Sequence, residues 1–292
     1  MATTLDFPAV LRGRQPVHRS SRKMADQASR AAIEHAGLQL EDIDLLINAG
    51  IYHERNLGEP ALAAMIQQDV GINPEDPHAD GHGSFSFDVA NGACGVLTAL
   101  QVADGFLQSG AIEHALVVAS DAHPGRGMAP GFPFAASSAA VVCSWDESPT
   151  GLAGFRWEVA PEDGSPVSSR IGLDHGRNVL HVERDPDFDG RAAVWAAKVA
   201  TSLLADLELG PADIDLVVAN PLTPAFLEGL SAHVGIGMER LLVLEGAGQV
   251  HTAALLVGLA AAAEQGRLQE AHRVLLVSAG AGIVVGAALL TN

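Results

Sequence analysis

Cys94 lies near the end of the segment Ser86-Phe87-Asp88-Val89-Ala90-Asn91-Gly92-Ala93-Cys94-Gly95, and the residues that follow have the apolar spacing of a helix. A thiol at a helix start meets unpaired backbone N–H groups and the positive end of the helix dipole, both of which favour an anion. Such a setting lowers a thiol's pKa and makes it nucleophilic. A small, buried, apolar cysteine is the other reading of the same residue. Cys143, inside the strand-like run 139–143, reads as core. His82 and His123 occur in loops with Gly and Pro, at no spacing that would hold zinc. The glycines of 125–131 lack the Lys-Ser/Thr ending of a nucleotide phosphate loop.

The chain around these residues has 292 positions, 48% of them hydrophobic, enough for one large domain or two packed ones. Its longest apolar stretch, 252–263, is shorter than the roughly 20 residues of a membrane span. Residues 1–16 hold no apolar core of signal-peptide length, so the expected location is cytoplasmic. Two cysteines make neither a disulfide framework nor a paired zinc motif, and no metal is expected. A net charge of -18 opposes binding to nucleic acid or to an anionic membrane surface. Much of the positive charge sits in Arg12, Arg14, Arg19, Arg22 and Lys23, which suit either a phosphate or acidic carrier protein, or a solvated lead-in to a helix.

An internal repeat decides the architecture. Residues 28–49 share a pattern with residues 199–220, centred on Asp42-Ile43-Asp44-Leu45 and Asp213-Ile214-Asp215-Leu216. Each copy reads as helix, polar turn and buried strand. A second helix–strand pair follows in each half, over 95–120 and 250–278. The fold class expected is α/β, with two pseudo-symmetric α/β halves in a five-layer α-β-α-β-α arrangement; one doubly wound sheet is the alternative. The halves are taken as 1–165, carrying Cys94, and 166–292, carrying His251 and a glycine-rich last strand.

The turn ending Gly92-Ala93-Cys94 resembles the ketoacyl-ACP synthase III branch of the thiolase superfamily, which implies a thiolase-like fold. The stretch from Leu46 through His53-Glu54-Arg55 to Gly58-Glu59-Pro60-Ala61 is similar to the olefin-forming, non-decarboxylative Claisen-condensing members of that branch. Residues 278–289 are similar to its glycine-rich final strand.

The resemblance implies that Cys94 is acylated, with an oxyanion hole from the backbone N–H groups of Cys94 and Gly282. The family's usual histidine position falls on Asn220 and its asparagine position on Gln249, with His251 two residues further on. His251 either supplies the missing imidazole or is a structural histidine; Asn220 and Gln249 can donate hydrogen bonds but cannot act as bases. Glu59 matches a glutamate that, in the olefin-forming relatives, reaches across a dimer interface to take an α-proton. As a bland alternative it favours a helix dipole beside Pro60 at the first helical position. Phe134-Ala135-Ala136-Ser137-Ser138 replaces the family's Gly-Asp-Gly-Ala run, so ligand access is expected to differ there.

The activity implied is that of an acyltransferase or condensing enzyme that takes an acyl group from CoA or acyl carrier protein onto Cys94 and passes it to a second substrate, with no cofactor. The alternative is a non-catalytic or half-catalytic partner subunit of a thiolase-fold heterodimer. A homodimer or heterodimer is implied in either case, pairing through the strand near residues 116–120.

Overall fold

Apolar runs as continuous as Leu45-Leu46-Ile47 and Leu216-Val217-Val218 suit strands covered on both faces. The computed structural model, which describes residues 1–12, 20–73, 83–147, 149–164, 166–244 and 250–292, has that arrangement. Arg14, Arg19, His82, Gly248 and Gln249 lie outside the described residues.

The first half runs β1 (Ala2–Leu5), β2 (Ala9–Arg12), α1 (Ser21–His35), β3 (Leu45–Asn48), α2 (Leu62–Val70), β4 (Phe85–Asp88), α3 (Gly95–Gln108), β5 (His114–Asp121) and β6 (Ser137–Asp146). The second runs β7 (Gly151–Val159), β8 (Val167–Asp174), β9 (Arg177–Arg184), α4 (Phe188–Asp206), β10 (Leu216–Asn220), α5 (Pro224–Val234), α6 (Ala254–Glu264), α7 (Arg267–Glu270), β11 (Arg273–Gly280) and β12 (Val284–Thr291). The main sheet orders as β10-β11-β12-β7-β1-β6-β5-β3-β4, with β2 also on β6. It is two half-sheets linked through β1, which pairs with β6 and meets β7 at Thr3↔Leu152. The halves match: β3 runs parallel to β5 as β10 does to β11, and β6 and β12 each return antiparallel.

Strand period sorts the side chains into layers. Leu45, Ile47, Val117 and Val141 face a central cluster with α3 and α6, while Leu46, Leu116, Val118 and Val142 face α1 and α2. In the second half Leu216, Val218, Val274 and Leu276 join the same central cluster, and Val217, Ala219, Leu275 and Val277 pack under α4 and α5. The five layers are therefore α1/α2, half-sheet, α3/α6, half-sheet, α4/α5. Helix α6 is buried from Ala254 to Ala263, which explains the longest apolar stretch of the sequence as a helix with no wet face. Among the described residues no helix is long and apolar enough to cross a membrane.

Three expectations are corrected. The break between halves falls near 147–150 rather than at 165, because β7 pairs with β12 from Val284↔Val159 to Thr291↔Gly151. The region after β7 then holds the separate two-stranded hairpin β8–β9. The strand near 116–120 offers no dimer edge, since β5 is hydrogen-bonded on both sides, to β3 and β6. Among the described residues the free edge of this half is β4. Pro60 is not the first residue of a helix: α2 starts at Leu62 with Ala61 as its cap. Asp88 supplies the charge there, accepting from Leu62 N and Ala63 N, both at 2.8 Å.

Candidate active site

Parallel strands collect ligand-binding loops beyond their carboxyl ends. Here the ends of β10 and β11 lead into a cavity of about 470 Å³. The turn before α3 closes one wall through Gly92 and Ala93, the turn before α6 another through Val250 and His251, and hairpin residues Ser169 and Val182 cover it. Both helix-start turns thus meet at one site, as the duplication implies.

Asp121, the last residue of β5, fastens the site together. Its Oδ1 accepts from Ile51 N at 3.2 Å and Tyr52 N at 3.0 Å. Its Oδ2 accepts from Thr252 N at 2.9 Å and Thr252 Oγ1 at 2.6 Å, so one carboxylate joins the two halves of the chain. Burial of this fully enclosed group pushes its pKa up, but His251 and the Thr252 donors outweigh that and hold it down at about 2. Gly50 allows the crossing that brings residues 51 and 52 here: a Cβ on it would lie 2.3 Å from Ser120 O.

His251 lines the cavity with its Nδ1 3.7 Å from Asp121 Oδ2, within reach of charge attraction but long for a hydrogen bond. No other partner closes on Nδ1 among the described residues. The ring packs against Phe134 at a centroid distance of 4.2 Å and Tyr52 at 5.1 Å. Phe134, from the segment where ligand access is expected to differ, is one of the cavity's lining residues.

Asn220 is buried at the end of β10, where its Nδ2 donates to Ala93 O at 2.8 Å and to His251 O at 2.9 Å. Both amide protons are engaged in tying the two turns together, so the expected donation to a substrate oxygen is not available from this amide. Thr223 lines the cavity with a buried hydroxyl that has no hydrogen-bond partner among the described residues.

Cys94 occupies the predicted helix start but faces away from the cavity. It is 0% exposed, and its Sγ contacts Val284 O at 3.4 Å. Ala93 lines the cavity instead. Burial pushes the Cys94 thiol up to about 12, although backbone contact at Gly286 lowers it somewhat, so the expected depression by the helix terminus is reversed. The Cys94 N–H is also taken, donating to Asn91 O at 3.0 Å, which removes it from the expected oxyanion hole. Gly282, at φ +81, lies in the turn between β11 and β12 and does not line the cavity; Gly280 and Ala281 do. Cys143 is fully buried core, as expected.

Glu59 is exposed and outside the cavity walls of its own chain. Its neighbours serve α1: Glu54 accepts from Ser21 N at 2.8 Å and from Ser21 Oγ at 2.7 Å, and His53 Nδ1 meets Ser21 Oγ at 3.1 Å. Sequence reasoning missed Asp121 and Tyr52. For Asp121 a signal existed: a single acid ending the apolar run Leu116-Val117-Val118-Ala119 has to be satisfied at a strand terminus.

Comparison with known proteins places this arrangement. The 3-oxoacyl-(acyl-carrier-protein) synthase III family matches residues 87–157, and the family of the C-terminal part of that synthase matches residues 204–292. The β-ketoacyl-(acyl-carrier-protein) synthase III of Erythrobacter litoralis is 28% identical, over 91% of this chain and 83% of that one. Its counterpart from Sodalis glossinidius is 27% identical over the same shares. Among solved structures, Pseudomonas aeruginosa FabH superposes with a TM-score of 0.83 at 18% identity, covering 100% of this chain and 98% of that one. Xanthomonas campestris OleA, crystallised with lauric acid and lauroyl-CoA, superposes with a TM-score of 0.76 at 17% identity, covering 100% of this chain and 99% of that one. The chain belongs to the ketoacyl-ACP synthase III-like branch of the thiolase superfamily.

Proposed function

We propose that the protein is a cytoplasmic acyltransferase that binds an acyl thioester of CoA or acyl carrier protein in the 470 Å³ cavity and passes the acyl group to a second substrate. The observation that carries this reading is His251 on the cavity wall, backed by the buried Asp121 carboxylate. That pairing suits a general base, since a buried carboxylate beside the ring can orient an imidazole toward the cavity. The names of the relatives, and the lauroyl-CoA complex of OleA, support a thioester as the donor. Acylation of Cys94 itself requires the sulfur to leave Val284 and turn into the cavity. The test is calorimetric titration with hexanoyl-CoA, followed by release of free CoA in the presence of acceptor. Absence of both binding and release would sink the proposal.

A second reading, that of a half-catalytic subunit in a thiolase-fold heterodimer, is favoured by Ala93 standing at the cavity wall and by the open edge at β4. In that case Glu59, exposed on this chain, would serve the partner's site. Co-expression with a second thiolase-fold subunit would restore turnover that the chain alone lacks, and Glu59→Gln would abolish it.

A further inference from the structure

We propose that acyl transfer at this cavity is a single displacement: His251 deprotonates a hydroxyl or amine acceptor, which attacks the thioester directly, and no acyl-enzyme forms on cysteine. The inference rests on the thioester reading above and adds the acceptor class and the route. Three observations carry it.

The residues of the helix-start turn that reach the cavity are Gly92 and Ala93, neither of which carries a nucleophile, while Cys94 packs beneath them against β12 at 0% exposure. The cavity keeps a base even so. With Nδ1 turned to the Asp121 carboxylate, the Nδ1–H tautomer is favoured, and the lone pair on Nε2 is the one left for a substrate. A carbon acceptor is disfavoured because its enolate needs preorganised donors, and both amide protons of Asn220 are spent on Ala93 O and His251 O. An O–H or N–H acceptor needs only the base and proximity.

The step balances without a co-reactant. Nε2 of His251 takes the acceptor proton as the acceptor's oxygen or nitrogen bonds to the thioester carbonyl carbon. The tetrahedral adduct collapses with cleavage of the C–S bond, and the departing thiolate takes the proton back from the imidazolium. The products are an ester or amide and free thiol.

The experiment supplies hexanoyl-CoA with 1-butanol in one arm and hydroxylamine in the other, reading CoA release above the enzyme-free background and the product by mass. Release that depends on acceptor, is kept within about twofold in Cys94→Ala, and falls about 10²-fold or more in His251→Gln supports the proposal. The wild-type pH–rate profile should carry a basic-form limb that His251→Gln lacks. Intact-protein mass spectrometry on the wild type is independent of how any variant folds, and a hexanoyl adduct on Cys94 would overturn the single displacement. Tight hexanoyl-CoA binding without release in either arm would also overturn it while leaving the thioester reading in place. Absence of binding would remove both.

Discussion

Asp121 Oδ2 stands 3.7 Å from His251 Nδ1 while accepting a 2.6 Å hydrogen bond from Thr252 Oγ1 on the next residue of the same turn. One carboxylate thus sets both the backbone of the turn before α6 and the charge beside its imidazole. Loss of that charge has separable consequences for turnover and for stability.

For Asp121→Asn we expect kcat for acyl transfer to fall at least tenfold, with KM for the thioester changing less, since Asp121 does not line the cavity and acts through His251. The carboxylate is held at about 2, below its ordinary 3.8, so its stabilisation is complete above about pH 5 and is lost as pH falls towards 2. A shift of this size corresponds to roughly 2 kcal/mol. Urea unfolding at pH 7 and pH 3 should show the wild type losing its advantage over the variant at the lower pH. An equal difference at both would contradict the assignment.

Both thiols should be silent in the native protein. Cys94 is pushed up to about 12 by burial, and Cys143 is raised by burial too. Ellman's reagent at pH 8 should react with neither within minutes and with both after denaturation. A fast native equivalent that disappears in Cys94→Ala would show the thiol to be a competent nucleophile after all.

Dimerisation, if it follows the sheet, uses β4. Its Phe85 is 60% exposed on an unpaired edge, a surface that invites aggregation unless another strand covers it. We expect the wild type to scatter light as a dimer and Phe85→Asp to shift it towards monomer. A dimer unaffected by that change would place the interface elsewhere.

Asp26, on α1, gives an opposite pH dependence. Burial and the nearby Asp69 raise its carboxyl to about 7, and its Oδ1 has no partner among the described residues, while Arg22 pairs with Asp69 at 2.5 Å. A raised pKa means the stability is fully present below about 3.8, is lost as pH rises from there to about 7, and is level above that. Asp26→Asn should therefore stabilise the protein at pH 8, by about 1 kcal/mol after allowance for partial solvent exposure, and have little effect near the ordinary carboxyl value of 3.8. Equal effects at the two pH values would count against the raised carboxyl.

The layered fold was legible from the chain because burying a strand on both faces demands continuous apolar residues, and the Asp-Ile-Asp-Leu repeat announced that the arrangement occurs twice. The arrival of His251 beside the turn before α3 followed from the same duplication. Composition also foretold Cys143 as core, through the apolar run around it. The facing of Cys94 was not legible. At a helix start successive side chains rotate by roughly 100°, so a one-residue difference decides whether Ala93 or Cys94 meets the cavity, and packing against Val284, 190 residues away, selects Ala93. Tertiary structure likewise spent the Asn220 amide on Ala93 O and His251 O, and brought Asp121 to Thr252 across 131 positions of sequence. Residue type and local period determine what an element buries. Which hydrogen-bond partner takes each polar group, and which neighbour excludes water from it, depends on contacts between distant segments that form only when the layers close.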